Sequence, residues 1–143
     1  MKKIKYLLAL AIMLTVGLAT HADNDRVITF QELPAPAQEL IKAHFGDKVP
    51  MVVTMDMDDY EVYFESGEKI EFRKNGDWKE IVCKTSNVPS MLIPDAIKGK
   101  VKASYPAAVI VKIERDRRGY DVKLNNGVEI EMDNSFNVIS IDR

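Results

Sequence analysis

The chain has 143 residues, 20 of them basic and 22 acidic, for a formal charge of −2 at neutral pH. This weakly acidic balance argues against a nucleic acid or an anionic membrane surface as the main partner, since both reward a basic footprint. Cys83 is the only cysteine, so no internal disulfide can form and stability has to come from an apolar core.

In chain order, the first 22 residues have the make-up of an export signal. Lys2, Lys3 and Lys5 form a positive start, and Tyr6–Leu18 is apolar but too short to span a membrane. Thr20-His21-Ala22 offers small residues at the two positions a signal peptidase reads, which places the cut after Ala22. No cysteine lies near that cut, so no lipid anchor is implied. Three of the 20 basic residues leave with the leader, so 17 face 22 acids and the mature charge is −5. Residues 23–143 then suit one compact domain that is exported to the periplasm, with no membrane insertion after cleavage.

Pro34 or Pro36 opens a helix, because proline is tolerated where the amide has no intrahelical partner. Ala37, Leu40, Ile41 and Phe45 recur at helical spacing, and Gly46 closes it. Period-two alternation follows. Val49, Met51, Val53 and Met55 are expected on one face, then Tyr60, Val62 and Phe64, with Glu61, Tyr63 and Glu65 on the other. Ser66-Gly67 turns the chain, Ile70 and Phe72 alternate with Lys69, Glu71 and Arg73, and Asn75-Gly76-Asp77 leads into Trp78–Cys83. Lys84–Ser90 is a short linker.

The pattern then starts again. Sliding the chain by 60 positions lays Leu33–Ile81 on Ile93–Ile141 without a gap, matching Pro34 with Pro94, Tyr60 with Tyr120, Gly67 with Gly127 and Ile81 with Ile141. Ile97, Val101 and Tyr105 form the second helical stripe, and Val109, Val111 and Ile113 begin the second run of strands. Helices of about ten residues are marginal alone, so both must dock on a sheet. The expectation is an α+β fold of two α-β-β-β-β units, about residues 27–84 and 87–143. They would join edge to edge in one antiparallel sheet with both helices on one face.

These residues resemble the PepSY-like family of exported proteins common in Bacteroides and its relatives. The resemblance lies in Leu33-Pro34, the helix Ala37–Ala43 and His44-Phe45, then Ile93-Pro94, Tyr105-Pro106, Gly119-Tyr120 and the Asn126-Gly127 hairpin. It covers essentially the whole mature chain, departing at Gly46, where a proline often follows the aromatic. It implies a fold similar to β-lactamase inhibitor protein, an open concave sheet, and a link by name to peptidase regulation. It supplies no catalytic motif.

The chain itself offers little chemistry. His44 is the only histidine left after export, and with one cysteine neither a triad, a Cys-His pair nor an ordinary zinc site is expected. Asp56, Asp58 and Asp59 cluster in one turn where calcium could sit, but the EF-hand spacing is missing and the second copy pairs Asp116 with Arg115, Arg117 and Arg118. Glu61/Asp121 and Glu71/Glu131 recur on polar strand faces without a pocket to raise a pKa. No glycine-rich phosphate loop is present, and no cofactor or metal is expected.

Aromatics on the polar parity are the more informative feature. Tyr63 shares a face with Glu61, Glu71 and Arg73. If Ile81 is core, alternation puts Trp78 on that open face as well; otherwise it caps the core's edge at the turn. The resulting expectation is a non-enzymatic periplasmic binding module holding a protein or peptide partner on the open sheet face. Its contact residues are Tyr63, Glu71, Arg73, Trp78 and Lys123. The alternatives are an inhibitor or regulator of an exported hydrolase, peptidase or β-lactamase-like, and small-ligand or calcium binding.

Overall fold

The computed structural model describes residues 25–143. The expected leader and its cleavage after Ala22 lie outside the described residues. Two helices, α1 (Ala35–His44) and α2 (Asp95–Ser104), pack on nine strands. These are β1 (Arg26–Ile28), β2 (Pro50–Met55), β3 (Asp59–Phe64), β4 (Lys69–Arg73), β5 (Trp78–Val82), β6 (Ile110–Arg115), β7 (Gly119–Leu124), β8 (Glu129–Asp133) and β9 (Val138–Asp142). The strands form one antiparallel sheet whose spatial order is the chain order. Beyond the eight strands foreseen, β1 adds a short edge strand paired with β2.

Both helices start where proline dictates. The amides of Ala37 and Gln38 reach Pro34 O at 3.0 and 3.1 Å, and those of Ile97 and Lys98 reach Pro94 O at the same distances. Pro36 sits in the first turn, where its missing N–H costs no bond. The α1 stripe buries Ala37 and Ile41, and Phe45 just beyond it stacks on Phe64 of β3 at 5.5 Å between ring centroids. In α2, Ile97 and Val101 play the same part.

Beneath the helices one cross-strand row carries a β-branched residue from every strand. It runs Ile28, Val53, Val62, Ile70, Ile81, Ile113, Val122, Ile130, Ile141. All but Ile141 are buried, and each is worth roughly 1.5–3 kcal/mol of transfer free energy. The two halves meet in a regular antiparallel seam, with Glu80 opposite Glu114, Ile81 opposite Ile113 and Val82 opposite Lys112.

Four strands break the alternation. Register shifts fall between Pro50 and Val52 in β2, between Ile110 and Lys112 in β6, opposite Glu71/Phe72 in β5 and opposite Glu131/Met132 in β9. An extra residue in one strand moves the residues beyond it to the opposite face relative to simple alternation. Val49 and Met51, expected in the core, are therefore 58% and 64% exposed, while Ile110 is buried ahead of Val111. Trp78 is corrected by the same cause. The bulge at Lys79 sets Trp78 opposite Phe72 on the helix-covered side, and Trp78 is only 6% exposed.

Candidate functional site

The face without helices carries two stripes of charge that run across the strands. In the first, register aligns Glu61, Glu71, Glu80, Glu114, Asp121 and Glu131 as direct cross-strand neighbours from β3 to β8. In the second, two residues or roughly 7 Å along each strand, the neighbours are Tyr63, Lys69, Val82, Lys112, Lys123 and Glu129.

Like charges directly opposite one another destabilise a sheet, and lysines offset that cost here. Lys79 Nζ lies 2.9 Å from Asp59 and 3.4 Å from Glu71, and Lys69 Nζ lies 3.3 Å from Glu80 and 4.0 Å from Glu71. Lys112 reaches Glu80 at 3.9 Å. The remaining strain shows in protonation. A hydrogen bond to Glu80, with burial, raises Glu114 above the ordinary carboxylate range. Burial opposes ionisation of Glu80, but the bond from Glu114 and the charges of Lys69 and Lys112 outweigh it and lower its pKa. Of the two facing carboxyls, Glu114 is thus the one that takes up a proton first on acidification. Glu71 is raised by desolvation and by Glu61 and Glu80, against the pull of Lys79. Asp121 is raised by burial and by Glu131.

Astride the seam the lysine stripe opens into a cavity of about 660 Å³. Its walls come from both halves: Tyr63, Gly67 and Lys69 on one side, Lys123, Leu124, Asn125 and Gly127 on the other. Val82, Lys84, Val111 and Lys112 lie between them. Tyr63 and Lys123 are 60 positions apart and occupy equivalent places in the two repeats. The Tyr63 hydroxyl donates to Glu61, and that bond, with burial and nearby acids, pushes its pKa up to about 12. The hydroxyl therefore stays a neutral donor, and the residue is 36% exposed.

Of the expected contact residues, Tyr63 and Lys123 share this cleft and Glu71 lies in the neighbouring acidic stripe. Arg73 is on the same face but away from the cleft, where its guanidinium donates to Arg115 O at 2.7 Å. Trp78 is not on the face at all. Arg115 covers its ring, 3.9 Å from the centroid, and donates through Nε to Trp78 O at 2.8 Å. That stacked cation ties β5 to β6 from the helix side. Lys69, Lys84 and Lys112 were missed; as ordinary polar-parity or linker lysines they become a group only once the seam sets their register.

The turn acids serve the backbone. Asp56 Oδ1 accepts from the amides of Asp58 and Asp59 at 2.8 and 2.9 Å, and Asp116 Oδ1 from Arg118 and Gly119 at 2.7 and 3.2 Å. These bonds lower both pKa values. Among the described residues no group of three or more His, Cys, Asp or Glu is placed to hold a metal ion. Cys83 is buried, and desolvation pushes its thiol up to about 11, far from a nucleophilic thiolate.

One buried acid stands beside the cleft. Glu68, 1% exposed, accepts from Ser66 Oγ at 2.5 Å and from Ser86 Oγ at 3.3 Å, with Lys48 Nζ at 3.6 Å. Burial resists its charge, but these partners and its own amide win and lower its pKa. Thr85 Oγ1 also donates to Ser66 O at 3.3 Å, so the linker is pinned to the β3–β4 turn.

An open antiparallel sheet with helices on one side and a charged cleft on the other defines a module that presents a surface. Residues 58–140 match the family described as "Putative beta-lactamase-inhibitor-like, PepSY-like", and the chain belongs to that PepSY-like family. A "putative periplasmic protein" from Bacteroides vulgatus is 48% identical over 85% of this chain and 99% of its own, with a TM-score of 0.84. A "putative calcium-regulated periplasmic protein" from Bacteroides thetaiotaomicron is 43% identical over 84% and 98%, with a TM-score of 0.81. A second Bacteroides vulgatus structure, of unknown function, is 35% identical over 84% and 100%, with a TM-score of 0.80. No curated protein matches the chain. Among the described residues no helix is long and apolar enough to cross a membrane.

Proposed function

We propose that this is a non-enzymatic periplasmic binding module that holds an extended segment of a protein or peptide partner on the open face of its sheet. The single observation that carries this reading is the cleft astride the seam, where Tyr63 and Lys123 line one cavity with Val82 and Val111 between them. An amphipathic ring, long lysine stems and apolar floor supply contact area, and the charges set register. Periplasmic descriptions of the related structures support the compartment. The family description favours a narrower version, in which the partner is an exported hydrolase and binding inhibits or regulates it.

The test is affinity capture from periplasmic extract with residues 23–143 as bait, beside Tyr63→Ala/Lys123→Ala. Wild type should retain a partner that the folded variant loses by at least about tenfold in affinity. Equal capture by both would remove the cleft from the binding surface. Calcium, suggested by the description of the Bacteroides thetaiotaomicron relative, is weighed by melting with and without the ion.

A further inference from the structure

Resting on that open-face reading, we propose that the segment held in the cleft is acidic: an extended stretch whose carboxylates meet the cleft lysines while an apolar side chain covers Val82 and Val111. The lining contains four lysines, Lys69, Lys84, Lys112 and Lys123, and no carboxylate, although acids outnumber bases in the chain. Positive charge is thus concentrated where the surface is concave, and a concave low-dielectric wall focuses its field.

The protein's own acids neutralise that charge incompletely. Lys69 and Lys112 both lean on the carboxylate of Glu80, at 3.3 and 3.9 Å, and Lys69 has Glu71 besides only at 4.0 Å. Lys123 pairs with Glu129 at 3.6 Å, but the two side chains are 46% and 59% exposed, so solvent screens the pair. Lys84 has no ion pair among the described residues. One ammonium is therefore without an ion pair, one has only a solvent-screened partner, and the other two draw on the same Glu80 carboxylate.

The apolar floor selects among anions. An inorganic anion or a lone amino acid would leave Val82, Val111 and the Tyr63 ring uncovered, whereas a peptide that alternates acidic and apolar side chains covers them. The acidic stripe roughly 7 Å away repels the same peptide in a shifted register, so one placement is favoured.

Panning a random phage-displayed peptide library on wild type and on Lys84→Gln/Lys123→Gln tests this. Both positions are well exposed, so the variant should keep the wild-type melting curve. Wild type should enrich sequences combining Asp or Glu with apolar residues, and the variant should not. An enriched peptide, followed by fluorescence polarisation, should bind roughly tenfold more weakly when its acids become Gln, and more weakly at high salt. Enrichment of neutral or basic sequences would overturn the acidic assignment while open-face binding stands. No enrichment on either protein would overturn both. Displacement of the peptide by inorganic phosphate at equal concentration would show that the cleft reads charge alone and would overturn the peptide assignment.

Discussion

β5 and β9 close the two repeats in the same way: each follows a hairpin turn, each carries a bulge at its second residue, and each puts an isoleucine in the central row. Their surroundings differ. Trp78 and Ile81 of β5 are 6% and 0% exposed because β6 lies alongside and Arg115 covers the indole. Their counterparts in β9, Val138 and Ile141, are 45% and 49% exposed. Nearly the same sequence is core in one copy and rim in the other, so the neighbour decides burial where the local pattern does not. The turns before the strands differ as well. Gly76 has φ 93°, and a Cβ there would come within 3.0 Å of Pro34, so the start of α1 demands glycine. Phe136 takes the equivalent place at φ 63°, a costly region for a bulky residue, with its ring stacked on Tyr120 at 5.4 Å.

Truncating the central-row isoleucines breaks the contrast most directly. Ile81→Ala should cost about 2–5 kcal/mol in urea titration, and Ile141→Ala less than about 1 kcal/mol. Equal costs would mean that β9 is covered in solution. Next in size is Glu68→Val, which writes the Val128 of repeat two into repeat one. It leaves Ser66 and Ser86 without their acceptor and should cost about 1–3 kcal/mol, with faster amide exchange across Lys84–Ser90. Because Glu68 has a lowered folded pKa, its contribution is complete above about 4.3 and is lost as pH falls through the folded value. The variant should therefore lose part of its acid sensitivity.

The smallest effect belongs to the acidic stripe. Glu71, Glu114 and Asp121 are raised, so their ionisation costs stability above their folded pKa values. Acidification from neutral toward the ordinary carboxylate range, about 4, should relieve that cost. Glu114→Gln should flatten the rise and gain less than about 1 kcal/mol at neutral pH after screening. Lowered carboxylates such as Asp56, Glu68 and Asp116 pull the total the other way, so the readout is the difference between wild type and Glu114→Gln. A difference that does not change between neutral pH and about 4 would contradict the raised Glu114.

Both helices and the hairpins were legible because proline, the 3.6-residue spacing and Asn-Gly or Ser-Gly turns act locally. So was the polar face of Tyr63 and Glu71, since β3 and β4 alternate cleanly there. Trp78, Val49 and Met51 were misplaced because a bulge inserts one residue without changing composition, and period-two counting cannot detect it. Glu68 was overlooked, although its alignment with Val128 marks an apolar position holding an acid. The lysine cleft could not be assembled from sequence at all, because it needs the pairing of Val82 with Lys112 across the seam.

Strand order that follows chain order has a kinetic consequence. Seven of the eight strand pairings join neighbours through hairpins or short helical detours within one repeat, and only β5 to β6 joins the repeats, by way of the linker and α2. For a sheet protein the contacts are local, which favours fast hairpin-by-hairpin assembly. The connection from Val82 to Ile110, through the linker and α2, is the longest between any two paired strands, so joining β5 to β6 carries the greatest loop-closure cost. The cleft straddles that joint, so a chain whose halves have folded but not joined would hold the two walls apart and lack the complete cleft.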